Sequence, residues 1–262
     1  MQTDNMRVVV KVGTSTLAHP NGRANLREME QLVRVLADLM NRGIQVVLVT
    51  SGAIGIGVGK MGLFEKPRDT PGKQAAATIG QCELMFMYDK MFSEYGHNVG
   101  QLLITKQDVE DEERHGNLCA TFEKLFEWGV IPVINENDAV AVEEIVYGDN
   151  DSLSAIVAVL VHADKLIILT DIDGLYDKNP SKYPDAKLLP VVETITPDIK
   201  ALAQGAGSSL GTGGMETKIK AAEIACAQGI DTYVIAGKPA ENINILLDGT
   251  PIGTHFKAVR HG

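Results

Sequence analysis

Cysteine is scarce in this sequence: Cys82, Cys119 and Cys226 are odd in number and far apart. That excludes a disulfide framework, and their apolar, helix-like surroundings suit reduced core thiols in a cytoplasmic setting. Metal-ligand patterns are missing as well. His19, His97, His115, His162, His255 and His261 have no i, i+4 partners and no C-x-x-C companions, so nothing suggests a resident zinc. Positive charge is in deficit, with 24 Lys and Arg against 34 Asp and Glu, which removes the electrostatic footprint expected for nucleic acid or an anionic membrane. An anionic substrate must then be held by local positive groups. Long apolar runs are absent too. The longest candidate, 156–161, stops at His162, and no charged-apolar-small signal pattern opens the chain. A soluble, cytoplasmic protein is expected.

What is present is enough apolar material, 45% of 262 residues, to build a full core in one large α/β domain or two small ones. Short β-branched runs at 7–12, 44–50, 99–105, 130–134, 165–170 and 232–235 read as strands. Most are apolar on both faces, as buried parallel strands are. Between the first two, Met29, Leu32, Val33, Leu36 and Met40 make a helical face that Gly43 is placed to stop. Further helices fit 74–95, 117–128 and 152–163, and another runs from Met215 to an end at Gly229. The alternation predicts a mostly parallel sheet covered by helices on both sides. The acidic run from Asp108 to Arg114 reads as a solvated face. The segment 171–197, with Pro180, Pro184, Pro190 and Pro197, suits an insertion beside a nucleotide better than core. A soft boundary near Asp164 divides a single domain, 1–262, into an acceptor half and a nucleotide half.

Two lysines carry the strongest chemical signal. Lys11 closes an apolar run and opens the turn Gly13-Thr14-Ser15-Thr16; Lys218 follows Gly211-Thr212-Gly213-Gly214-Met215-Glu216-Thr217 and enters a helical pattern. Glycines let backbone N–H groups approach phosphate, helix N-termini favour anions, and lysines neutralise charge on a transferring phosphoryl group. Between them lies Gly148-Asp149-Asn150-Asp151, either a turn with a helix cap or polar groups aimed into the same crevice. Thr50-Ser51-Gly52-Ala53 follows a buried strand, where it could cradle a carboxylate or simply turn the chain with Ser51 as cap. Asn135-Glu136-Asn137-Asp138 places four polar residues after another apolar strand, and a carboxylate there suits an ammonium group. Gly57-Val58-Gly59-Lys60-Met61-Gly62 matches the dinucleotide pattern G-x-G-x-x-G but fails on context, since the preceding strand ends at Thr50 and the stretch 63–72 is broken by Pro67 and Pro71. No Walker lysine motif occurs, because Lys218 is followed by Ile219, and no G-x-S-x-G surrounds Ser51.

Taken in order, Lys11-Val12-Gly13-Thr14-Ser15, Thr50-Ser51-Gly52-Ala53, Asn135-Glu136-Asn137-Asp138, Tyr147-Gly148-Asp149-Asn150-Asp151, Thr170-Asp171-Ile172-Asp173-Gly174-Leu175-Tyr176 and Gly211 to Met215 with Lys218 resemble the amino acid kinase family, and within it the kinases of glutamate. The resemblance covers nearly the whole chain. It implies an α/β/α sandwich and ATP-dependent phosphorylation of the L-glutamate side-chain carboxylate, the first step of proline biosynthesis, with Mg²⁺ carried in on the nucleotide. By motif, Ser51, Asp138 and Asn150 would bind glutamate. Thr170, Asp171 and the run Thr212, Gly213, Gly214, Met215 to Lys218 would face ATP. Lys11 and Lys218 would stabilise the transferring group, Lys11 also touching the nucleotide, and Asp151 would orient both. Feedback inhibition by proline and a homo-oligomer are implied in the same way. Two departures stand out. Many bacterial members carry an additional C-terminal PUA domain for which this chain leaves no room, and Tyr147 stands where Phe is expected. The alternatives are relatives acting on acetylglutamate, aspartate or UMP, against which the single glycine of Lys11-Val12-Gly13 argues, and a non-catalytic small-molecule sensor.

Overall fold

The computed structural model describes residues 6–140, 150–203 and 214–260. Among them are β1 (Arg7–Lys11), β2 (Gln45–Val49), β3 (Val99–Ile104), β4 (Ile131–Glu136), β5 (Lys165–Thr170), β6 (Val191–Val192), β7 (Asp231–Ala236) and β8 (Thr254–Phe256). The helices are α1 (Thr14–Leu17), α2 (Leu26–Asn41), α3 (Ala53–Met61), α4 (Thr70–Ser93), α5 (Lys106–Glu110), α6 (Glu112–Glu127), α7 (Asn150–Leu160), α8 (Pro197–Ala203), α9 (Met215–Ala227) and α10 (Asn242–Leu247). One sheet runs β3-β4-β2-β1-β5-β7-β8-β6. Every pairing is parallel except β7 with β8.

The apolar strands are buried on both faces because successive side chains alternate between two cores. Val9 joins the core under α6, α7 and α9, whereas its neighbours Val8 and Val10 join the core under α2, α4 and α10. This is the predicted helix-covered parallel sheet. It continues across the expected boundary near Asp164, since β1 pairs directly with β5.

Local chemistry explains the elements around the site. Of the face of α2 predicted from the sequence, Met29, Leu32, Val33 and Leu36 are buried and Met40 is half-buried. Asn25 caps its start by accepting from Glu28 N–H, and Gly43, at φ 83°, follows its end. Burial of each such side chain contributes about 1.5–3 kcal/mol at most. Of the glycines of the G-x-G-x-x-G match, Gly62 ends α3 in a left-handed conformation at φ 65°, and the other two serve packing. Gly57 and Gly59 lie inside α3, and a Cβ on Gly57 would fall 1.9 Å from the Ala76 carbonyl oxygen of α4. The reciprocal contact is as tight, a Cβ on Gly80 falling 1.7 Å from the Ala53 oxygen. Two backbones therefore touch directly at the crossing of α3 and α4.

Several expectations need correction. Cys82 is exposed and Cys119 half-buried, so only Cys226 is a core thiol. The run from Asp108 to Arg114 is largely exposed, as expected, but it is organised as well. Thr105 and Asp108 form a reciprocal capping box at the start of α5, and Arg114 donates to Asp108 at 2.8 Å. Partial burial pushes the Asp108 carboxyl up, but the hydrogen bonds from Thr105 and Arg114 outweigh it and hold the group below the usual carboxylate range. The segment 171–197 adds the short strand β6 to the sheet through β8, and the Thr254 hydroxyl fastens it by accepting from Leu175 N–H and donating to the Leu189 carbonyl.

Candidate active site

The parallel strands end along one edge of the sheet, where open α/β folds bind ligands. Lys11 is the last residue of β1, Thr50 and Ser51 follow β2, Asn135 lies near the end of β4 and Thr170 ends β5. Helix α7 packs against β1 and α9, bringing Asn150 and Asp151 of its first turn to the same edge.

Asp151 is fully buried, at 0% exposure, with an ammonium on each carboxylate oxygen. Lys11 Nζ lies 2.6 Å from Oδ1 as a close ion pair, and Lys218 Nζ donates to Oδ2 at 3.1 Å. The Thr217 hydroxyl also lies 2.7 Å from Oδ2 and 2.8 Å from the Gly214 carbonyl. Both lysines are themselves 6–7% exposed. Burial pushes the Asp151 carboxyl up, but the charges of Lys11 and Lys218 and the Thr217 hydrogen bond overcome it, and the group is held below the usual carboxylate range. Asp151 thus brings two ammoniums together at the end of the sheet.

The neighbouring residue, Asn150, organises a second, uncharged network. Its Nδ2 lies 2.6 Å from the Thr50 carbonyl, 2.9 Å from Ser51 Oγ and 2.8 Å from Asn135 Oδ1. Asn135 in turn donates to Gln81 Oε1 at 2.8 Å, and the Thr50 hydroxyl meets the Tyr88 hydroxyl at 2.9 Å. These bonds of Asn150 and Asp151 run to other elements, not back to their own helix, so helix capping does not explain them. Nor is Ser51 a cap. Gly52, at φ 91°, occupies that position of α3 without a side-chain bond, a left-handed conformation suited to glycine.

Asp138 sits in the turn after β4, half-buried. Desolvation pushes its carboxyl above the usual range, against a smaller opposing effect from the Lys66 ammonium. Thr170 Oγ1 donates to Asp171 Oδ1 at 3.1 Å at the end of β5. Gly214 caps α9 without a side-chain bond, and the Met215 side chain is buried in the core, leaving its backbone as the part available to a ligand. Thr212, Gly213, Gly148 and Asp149 lie outside the described residues. Among the described residues, no group of three or more His, Cys, Asp or Glu converges as a metal site. No helix among them is long and apolar enough to cross a membrane.

Sequence inspection does not single out Gln81 or Tyr88. Both lie inside α4, far along the chain from their partners, with no local motif around them. Thr217 was signalled only by lying beside Lys218.

The family model for the amino acid kinase family matches residues 6–236. A glutamate 5-kinase of Caldanaerobacter subterraneus subsp. tengcongensis is 55% identical over 98% of this chain and 69% of that protein. The glutamate 5-kinase of Clostridium perfringens is 52% identical over 97% of this chain and 96% of that protein. Among solved structures, a carbamate kinase from Giardia lamblia bound to AMP-PNP superposes with a TM-score of 0.68 at 17% identity, covering 98% of this chain and 99% of that one. A UMP kinase from Bacillus anthracis gives 0.66 at 15% identity, covering 97% and 96%. At such identities these two speak for the fold alone.

Proposed function

The chain belongs to the amino acid kinase family, and we propose that it transfers the γ-phosphoryl group of ATP to the side-chain carboxylate of L-glutamate, giving L-glutamyl 5-phosphate, the first step of proline biosynthesis. The observation that carries this is the buried bridge Lys11–Asp151–Lys218, in which one carboxylate aims two ammoniums at the end of the sheet. A carboxylate acceptor is already ionised at neutral pH, so the reaction needs in-line placement and charge neutralisation, not a strong base. Lys11 and Lys218 would meet the charge that spreads over the phosphoryl oxygens, and Asp151 would keep both from swinging into solvent.

On the acceptor side, Ser51, Asn150 and Asp138 would hold the amino acid, Asp138 taking the α-ammonium. The raised carboxyl of Asp138 supports that assignment, because an incoming cation relieves the cost of its desolvation. On the donor side, Thr170, Asp171 and the start of α9, preceded by Thr212 and Gly213, would face ATP, with Mg²⁺ arriving as part of the nucleotide substrate. The halves 1–164 and 165–262 then divide acceptor from nucleotide within one sheet. Proline, which shares the α-carboxylate and a cationic nitrogen with glutamate, would compete at the same site. A cytoplasmic homo-oligomer completes the proposal.

The test is ADP release with L-glutamate, N-acetylglutamate, aspartate and UMP as acceptors. Turnover with glutamate and little with N-acetylglutamate, which lacks the ammonium, is expected. Preference for any other acceptor on the panel, or no ADP release with any of them, would overturn the proposal.

A further inference from the structure

Gln81 is 8% exposed and lies in α4, yet its side chain reaches the acceptor end of the sheet. Its orientation is set by a chain of amides. Asn135 Oδ1 accepts from Asn150 Nδ2 at 2.8 Å and from Glu136 N–H at 3.0 Å, so Asn135 must turn its Nδ2 toward Gln81. Gln81 must then present Oε1 to receive it, at 2.8 Å. Turning either amide over would set donor against donor. This leaves Gln81 Nε2 buried without a hydrogen-bond partner among the described residues. An apolar side chain of equal length would avoid that penalty, so an amide at this position points to a task other than core packing.

Resting on the glutamate-kinase proposal above, we infer that Gln81 is a positioning residue for the acceptor site. Through Asn135 it fixes the direction of the Asn150 amide. That amide is already shared among three acceptors and can rotate toward any of them once the Asn135 anchor loosens. Gln81 therefore acts on glutamate binding from outside the binding residues, and it has no described bond to the Lys11–Asp151–Lys218 bridge.

The experiment compares Gln81→Met and Gln81→Asn with the wild-type full chain, measuring ADP release against L-glutamate and against Mg-ATP, with thermal unfolding alongside. Met removes the acceptor for Asn135 at similar length, and Asn withdraws the amide by one methylene. Expected for both is a glutamate KM raised about tenfold or more, with the ATP KM within about twofold of wild type. If Gln81→Met does not fold, Gln81→Asn decides. A wild-type glutamate KM in the folded variants, or equal rises in both KM values, would overturn the inference while leaving the proposed function intact. A wild-type chain that releases no ADP with glutamate would overturn both.

Discussion

Replacing Asp151 by Asn tests whether one carboxylate organises the two lysines. The substitution keeps shape and burial but removes the charge to which Lys11 and Lys218 are paired at 2.6 and 3.1 Å. The ammoniums bracket a single carboxylate and so lie no more than about 8 Å apart, where their repulsion at an effective dielectric near 20 is about 2 kcal/mol. In the wild type the shared anion offsets it. Removing one partner from a buried ion pair costs about 3–5 kcal/mol, and the lower end applies because both lysines keep a narrow route to water. We therefore expect Asp151→Asn to lose about 3 kcal/mol of unfolding free energy in urea, which a circular dichroism titration reads directly. Turnover should fall by about 10²–10³, as when a charge-stabilising donor is misplaced. ADP release under saturating glutamate and ATP measures it. A folded Asp151→Asn protein with kcat within about threefold of wild type would refute the idea that this carboxylate aims the lysines.

Lys218→Ala should lose about 3 kcal/mol or more of transition-state stabilisation, mainly in kcat, and near-normal turnover would remove Lys218 from the chemistry. Asp138→Ala should raise the glutamate KM far more than the ATP KM, because it deletes the expected partner of the ammonium; equal effects in steady-state kinetics would contradict that placement. Gly80→Ala should destabilise by about 1–3 kcal/mol or more in urea unfolding, since its methyl would strike the backbone of α3, and an unchanged midpoint would refute the backbone contact. Acid sensitivity follows from Asp151 and from Asp231, whose carboxyl is pushed up by burial but held below its usual range by the Ala258 N–H and His255. A carboxylate lowered on folding contributes stability that is complete above its unfolded pKa near 4 and is lost as pH falls through its folded value. Asp231→Asn should thus flatten the acid side of the stability profile in chemical denaturation, and an unchanged slope below pH 4 would count against it.

Much of the sheet was legible because β1, β2, β4 and β5 are short apolar runs with two buried faces, a pattern that owes little to tertiary context. The helix α3 is not evident in the sequence. Its sequence, Ala53 to Met61, holds three glycines, poor helix formers whose purpose emerges only when α4 and the loop at Gly22 are placed against them. The strand β8 escaped for the opposite reason, since Thr254–Phe256 is too short to show periodicity and is specified by its neighbours β7 and β6. At the site, Lys11, Asp151 and Lys218 could be picked out because charges beside glycine turns and apolar strands are chemically conspicuous. The amide relay from Gln81 could not, because nothing local marks a glutamine in a helix as the partner of an asparagine 54 residues away.

The bridge at Asp151 also bears on the life of the chain before it is finished. Lys11 emerges from the ribosome about 200 residues ahead of Lys218, roughly 10–40 s at ordinary rates of synthesis. During that interval a nascent chain can lay β1 beside β2 and later β5, yet it holds at most one of the two ammoniums that Asp151 brings together. The charge proposed for phosphoryl transfer is therefore incomplete until α9 docks on α7. The charge is split between segments far apart in the chain, so the bridge closes only after the later one has been made.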